Sequence, residues 1–232
     1  MDKHISSQFD AELNSISTRM LEMGGIVERQ IQWAVQALVE EDSTLAKRVL
    51  EAEREINELE VGVDADLSTT IARRQPTARD LRFLIGVSRT VGNLERAGDE
   101  AARIARMAAS IVESGQGRRL PVSELRLASE LAAAMLRRAL DALARLDVAE
   151  AVAIMRADDR IDIEFNGFVR KLVTFMMEDP RTISPSLDLL FVAKAIERIG
   201  DHAKNIGEVI IYIVKGLDVR HAPIERVESV VQ

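Results

Sequence analysis

Leu94-Glu95-Arg96-Ala97-Gly98-Asp99-Glu100-Ala101-Ala102-Arg103-Ile104 returns 102 residues later as Ile196-Glu197-Arg198-Ile199-Gly200-Asp201-His202-Ala203-Lys204-Asn205-Ile206. The glutamate, arginine, glycine and aspartate recur in register. A core requires only that apolar residues repeat, so repeated polar chemistry points to a site, and its duplication points to a doubled fold.

The agreement extends outward from that string. At an offset of 105, Ala37-Leu38 matches Ala142-Leu143, Asp42 matches Asp147, and Val49 matches Ile154. Ala52 then matches Ala157, Glu53 matches Asp158, and Ile56-Asn57 matches Ile161-Asp162. Pro76 and Pro180 stand 104 apart, so the drift to 102 falls in a connection, where length changes are tolerated.

Helical periodicity marks six segments. Ile16, Met20, Met23, Val27, Ile31 and Val35 step by three and four through the first, which runs to about Leu38. Asp42 or Ser43 is placed to cap a second helix that ends near Arg74. Gln75-Pro76-Thr77 stops it, because proline disfavours a helical residue before it, and a third helix follows to about Glu113. Ser114-Gly115-Gln116-Gly117-Arg118-Arg119 is a polar, glycine-bearing boundary near mid-chain. Helices are then expected near 121–145, 148–177 and 184–215. The predicted fold is all-α: two tandem, pseudo-symmetric, antiparallel three-helix bundles of six long helices, over 1–114 and 121–216, with a polar tail at 217–232.

Composition agrees. Of 232 residues 47% are hydrophobic, 30% charged and only 3% aromatic, which suits alanine-rich packed helices. A formal charge of −7 argues against a nucleic-acid binder, and the absence of cysteine removes thiolate metal sites and Cys nucleophiles. No stretch approaches the roughly 20 apolar residues that span a bilayer, and the first residues resemble no secretory signal. A soluble, cytoplasmic protein is expected.

Glu95 with Asp99 and Glu197 with Asp201 are i,i+4 pairs, each on one helix face. Such pairs cost a helix a few tenths of a kcal/mol unless a cation compensates. Asp158 and Asp162 form another pair, whose first-half counterparts are Glu53 and Asn57. Gly98 and Gly200 leave room for a neighbouring helix. Carboxylates without cysteine favour hard or borderline cations such as Mg²⁺, Mn²⁺, Ca²⁺ or iron. On the residues alone a second reading stays open: a solvated ionic face, with Arg103 neutralising Asp99 and Lys204 neutralising Asp201. Arg73, Arg74, Arg79 and Arg82 cluster around Pro76 and suit an anion or an acidic partner, or simply a solvated helix end. His202, beside Asp201, is a possible further ligand; His4 and His221 are expected to have no site role. No catalytic constellation appears, so an enzyme is not expected. A di-iron oxidase would carry Glu-x-x-His pairs, and Gly98 and Gly200 stand where those histidines would be.

These strings resemble the PhoU family of bacterial regulators of phosphate transport. Arg74-Gln75-Pro76-Thr77-Ala78-Arg79-Asp80-Leu81-Arg82, Met176-Met177-Glu178-Asp179-Pro180-Arg181-Thr182-Ile183 and Val214-Lys215-Gly216-Leu217-Asp218-Val219-Arg220-His221 carry the resemblance as well. It implies acidic motifs that bind iron, manganese, magnesium or zinc, here Glu95 and Asp99, Asp158 and Asp162, and Glu197 and Asp201. Glu53 matches its motif, while Asn57 departs from it. The resemblance further implies a negative regulator of the phosphate-starvation response, standing between the ATPase of the phosphate ABC importer and the sensor histidine kinase. It also implies a homodimer. A purely structural helical adaptor is the alternative.

Overall fold

The computed structural model describes residues 7–115 and 120–231. The boundary residues 116–119 and His4 lie outside the described residues. The chain folds as α1 (Ser7–Glu40), α2 (Ser43–Arg74), α3 (Ala78–Glu113), α4 (Leu125–Arg145), α5 (Val148–Glu178), α6 (Ile183–Lys215) and α7 (Ile224–Val231). Among the described residues there is no strand. The all-α fold of six long helices therefore matches the reading from sequence.

The duplication is visible in the turns. Asp42 caps α2 by accepting the Thr44 and Leu45 amides at 2.7 and 3.2 Å, and Asp147 caps α5 by accepting the Glu150 amide at 3.0 Å. Each cap follows a residue in the left-handed region, Glu41 at φ 56° and Leu146 at φ 51°. Each cap's own amide also reaches back to a carbonyl of the preceding helix, Ala37 at 3.0 Å and Ala142 at 2.8 Å. Neither turn has the glycine that favours such a φ. The connections to the third helices differ: Gln75 closes α2 at φ 46°, whereas Pro180–Thr182 winds a 3-10 turn before α6.

Ile16, Met20, Met23, Val27 and Ile31 are buried as their spacing requires, while Val35 is half-buried. Burial continues without a break through both halves, and α3 and α6 pack on each other more extensively than any other pair. Small side chains permit it: Ala97, Ala101, Ala105, Ala195 and Ala203 are all essentially inaccessible. Each fully buried Leu or Ile contributes about 1.5–3 kcal/mol, so this core outweighs the cost of the like-charged pairs.

The polar tail expected at 217–232 is a partial misreading. Its last residues form α7, which packs on α5 with Val227 fully buried, and Val219 is buried just before it. Glu228 pairs with Arg156 of α5, and Lys215 Nζ donates to the Val231 carbonyl at 3.0 Å. Eight residues show too few apolar steps to read as a helix from periodicity alone.

Gly207 sets the closest approach of α6 to α5: a Cβ there would lie 3.1 Å from the Ala151 carbonyl oxygen, a backbone atom that cannot rotate away. Gly207→Val is expected to cost about 2 kcal/mol and to lower the melting temperature by about 4–8 °C, as scanning calorimetry would show. An unchanged melt would mean that α5 and α6 are not held at this distance.

Candidate metal centres

In the second half, α5 and α6 set the pair Asp158 and Asp162 against Glu197 and Asp201. Asp158 is 4% exposed and Asp201 is half-buried. Burial first, and then the charges of Glu197, Asp158 and Asp162, push the Asp201 carboxyl from 3.8 up to about 6, with Lys194 opposing. Asp162 is raised in the same way, by burial and then by Asp158 and Glu197. Two lysines brace the group. Lys204 Nζ donates to Asp158 Oδ2 at 2.6 Å, and Lys194 Nζ donates to Glu197 Oε1 at 2.6 Å. The other oxygen of Glu197, Oε2, is buried without a hydrogen-bond partner.

The first half gathers a related but displaced set. Burial, then the charges of Asp99 and Glu60, raise the Glu95 carboxyl, and a hydrogen bond between Glu95 and Asp99 adds to the effect. Glu60 is raised by burial, then by Asp64 and Asp99. The group is thus Glu60, Asp64, Glu95 and Asp99. Glu53 pairs instead with Arg106 at 3.6 Å and stands about 10 Å along α2 from Glu60. Asn57 is exposed. Glu60 and Asp64 went unnoticed because Glu60 aligns with Phe165, so the duplication pointed elsewhere. Their signal was present: Glu60-x-x-x-Asp64 is itself an i,i+4 acidic pair, two turns beyond Glu53.

The counter-charges differ from those read off the sequence. Arg103 pairs with Glu100 at 3.3 Å rather than with Asp99, and Lys204 pairs with Asp158 rather than Asp201. Gly98 and Gly200 act as expected. A Cβ on them would lie 3.1 Å and 2.7 Å from the Cδ1 atoms of Ile56 and Ile161, which are equivalent residues. The arginines around Pro76 are dispersed. Glu12 holds Arg74 through two bonds of 2.9 and 2.6 Å, and Arg82 Nε donates to the Ile213 carbonyl at 3.4 Å. Arg73 and Arg79 are exposed. His202 does not join the acids: its Nδ1 lies 3.2 Å from Asn93 Oδ1, across the seam between α6 and α3. Burial, then Arg96 and Arg198, push His202 down from 6.5 to about 4, so the ring is neutral at pH 7.

Among the described residues, no three His, Asp or Glu side chains stand converged on one point as placed. The donor chemistry nevertheless fits a hard or borderline cation. Both sets offer only carboxylate oxygens, the acids repel one another's charge, and Glu197 keeps a buried oxygen unsatisfied.

A family model described as "PhoU domain" matches residues 20–108 and again 125–210, once in each half. The chain belongs to the PhoU family. It is 47% identical over 229 residues to the phosphate-specific transport system accessory protein PhoU homolog of Pseudomonas putida, covering 99% of this chain and 89% of that one. It is 49% identical over 221 residues to the PhoU of Escherichia coli, covering 95% and 91%. The crystal structure of PhoU from Pseudomonas aeruginosa superposes with a TM-score of 0.87 at 43% identity, over 90% of this chain and all of that one. That of the phosphate transport system regulatory protein PhoU from Streptococcus pneumoniae gives 0.84 at 26%, over 91% and 99%. The two PhoU matches contain the two acidic groups, one each. Among the described residues no helix is long and apolar enough to cross a membrane.

Proposed function

We propose that this PhoU-family protein is a cytoplasmic negative regulator of the phosphate-starvation response. It couples the phosphate ABC importer to its sensor histidine kinase and limits uptake when phosphate is plentiful. The observation that carries this reading is the match, over 95% or more of this chain, to relatives named as accessory proteins of phosphate-specific transport. Duplicated acidic groups support a second element: Asp158, Asp162, Glu197 and Asp201, and Glu60, Asp64, Glu95 and Asp99, hold metal ions that replace lysine and proton as counter-charge. Bound metal would supply positive charge that clamps α5 to α6 and α2 to α3; no turnover is assigned to it. The protein acts by binding rather than catalysis. Ile183, Leu187 and Phe191 form one exposed apolar stripe on α6, which suits docking to partners or to a second copy.

Deleting the gene is expected to switch on an alkaline-phosphatase reporter of phosphate starvation in phosphate-rich medium, by about tenfold or more. Continued repression in the deletion strain would refute the regulatory role. Co-purification of the wild type with the importer ATPase or the kinase, lost on Phe191→Glu, would identify the partner face.

A further inference from the structure

The repeated string contains an arginine that the core does not use: Arg96 and Arg198 are both exposed, and their charges also reach the acidic groups, Arg96 toward Glu95 and Glu60 and Arg198 toward Glu197 and Asp201. Arg96 and Arg198 occupy the same position in the two copies, and both turn to the α3–α6 seam. They border a cleft of about 1330 Å³, together with Asn93, Arg103, His202 and Asn205. Both arginine charges bear on the His202 ring, and like charges at one cleft repel unless something negative lies between them.

Only one carboxylate of the seam itself answers them. Glu100, 6% exposed, accepts from Arg198 Nη1 at 2.9 Å and lies 3.3 Å from Arg103 Nη1. Among the described residues no carboxylate forms an ion pair with Arg96. The second copy has lost the acid altogether, since His202 stands where the first copy has Glu100. Other acids line the cleft as well: Asp218 pairs with Arg220 and Arg89, Asp99 is hydrogen-bonded to Glu95, Asp201 faces the α5–α6 carboxylates, Glu208 faces Lys204, and Asp159 borders it too. The walls are held in place, Asn205 Nδ2 donating to Asn93 Oδ1 at 3.0 Å.

We propose that this cleft binds a phosphoryl oxyanion, with Arg96, Arg103 and Arg198 as its ligands. Guanidinium forks match the oxygens of a tetrahedral phosphoryl group, and the space admits either free phosphate or the tail of a nucleotide. The site adjoins the acidic groups between α2 and α3 and between α5 and α6, sharing Asp99 and Asp201 with its walls, while its proposed ligands are the arginines alone.

Calorimetric titration of the full chain with inorganic phosphate, pyrophosphate and ATP, at fixed ionic strength, tests the assignment. Submillimolar binding of phosphate identifies the free anion as ligand. Binding of pyrophosphate and ATP but not phosphate identifies a polyphosphate. ATP binding without pyrophosphate binding would place the affinity in the base and overturn the proposal, as would no binding by any of the three. Arg96→Gln, which breaks no ion pair, is expected to weaken binding about tenfold or more. Glu100→Gln, which removes the competing carboxylate, is expected to strengthen it. Unchanged affinity in Arg96→Gln overturns the assignment. Should that variant not fold, the side-chain amide resonances of Asn93 and Asn205 in the wild type decide: they shift on addition of the anion that binds, and their failure to move refutes the site.

Discussion

Asp201→Asn is expected to stabilise the protein in chelator and to destabilise it in metal. Burial and three neighbouring acids hold the Asp201 carboxyl near 6, against 3.8 in an unfolded chain. Between those values the native state binds more protons than the unfolded one, so stability falls as pH rises through the window. The full penalty is in place at pH 7. Asp201 is only half-buried, and solvent screening reduces its share to about 1 kcal/mol. The asparagine removes that charge, so with EDTA at pH 7 the variant should melt about 2–4 °C above wild type. Well below pH 3.8 the advantage should vanish, because the wild-type carboxyl is then neutral in both states. His202, pushed down to about 4, works in the opposite sense and costs stability as pH falls, but it is common to both proteins and cancels.

Saturating Mn²⁺ or Fe²⁺ should reverse the order. A cation at 100 times its dissociation constant adds about 2.7 kcal/mol to a protein that binds it only when folded. The variant lacks one of four carboxylates and retains less of that gain. Melting curves with and without metal therefore test the centre by a change of sign, which a merely structural aspartate would not produce. Equal responses of the two proteins to metal would remove Asp201 from any centre.

The fold was legible because helix punctuation is local. Asp42, Gln75-Pro76-Thr77, Asp147 and Asp179-Pro180 each act on the backbone beside them, and each stands within a residue or two of an observed helix end. Tandem matches at 105 and 102 then supplied the doubled bundle without any long-range information. The meeting of the four acids of the second half was legible too, since i,i+4 spacing on α5 and on α6 defines the faces that meet. The first-half acidic group was not. Its acids follow from where α2 lies along α3, and duplication pointed to Glu53, whereas the packing sets Glu60, two turns away, beside Glu95 and Asp99. Partners across the chain, Arg74 with Glu12, Arg198 with Glu100 and Lys204 with Asp158, are set by tertiary packing. No spacing rule along a single helix reveals them. The closing helix α7 was missed for the same reason: Val227 is apolar in the sequence, but only α5 makes it a core residue.

Lys204→Gln carries the other large effect, because the two acidic groups differ in their built-in counter-charge. Gly92 and Ala102 hold the first-half positions equivalent to Lys194 and Lys204, so only the second centre carries ammonium groups. Burial works against the charge on Lys204, yet its hydrogen bond to Asp158 and the charges of Asp158, Asp201 and Glu208 outweigh it and hold the ammonium above its usual range. Asp158 itself is 4% exposed and depends on that partner. Removing one member of a buried pair costs about 3–5 kcal/mol; with Lys204 one-third exposed, about 2–3 kcal/mol is expected. The melt of metal-free Lys204→Gln should fall by about 4–10 °C. Asp158→Asn in the same chain should restore most of that loss, since the double variant leaves no lone charge behind. Mn²⁺ should raise the melt of Lys204→Gln more than that of wild type, because a cation in the emptied position answers Asp158 as the ammonium did. If metal rescues the variant no better than wild type, Lys204 and metal do not share a role, and the second centre is an ion-pair cluster that holds α5 to α6 without any cation.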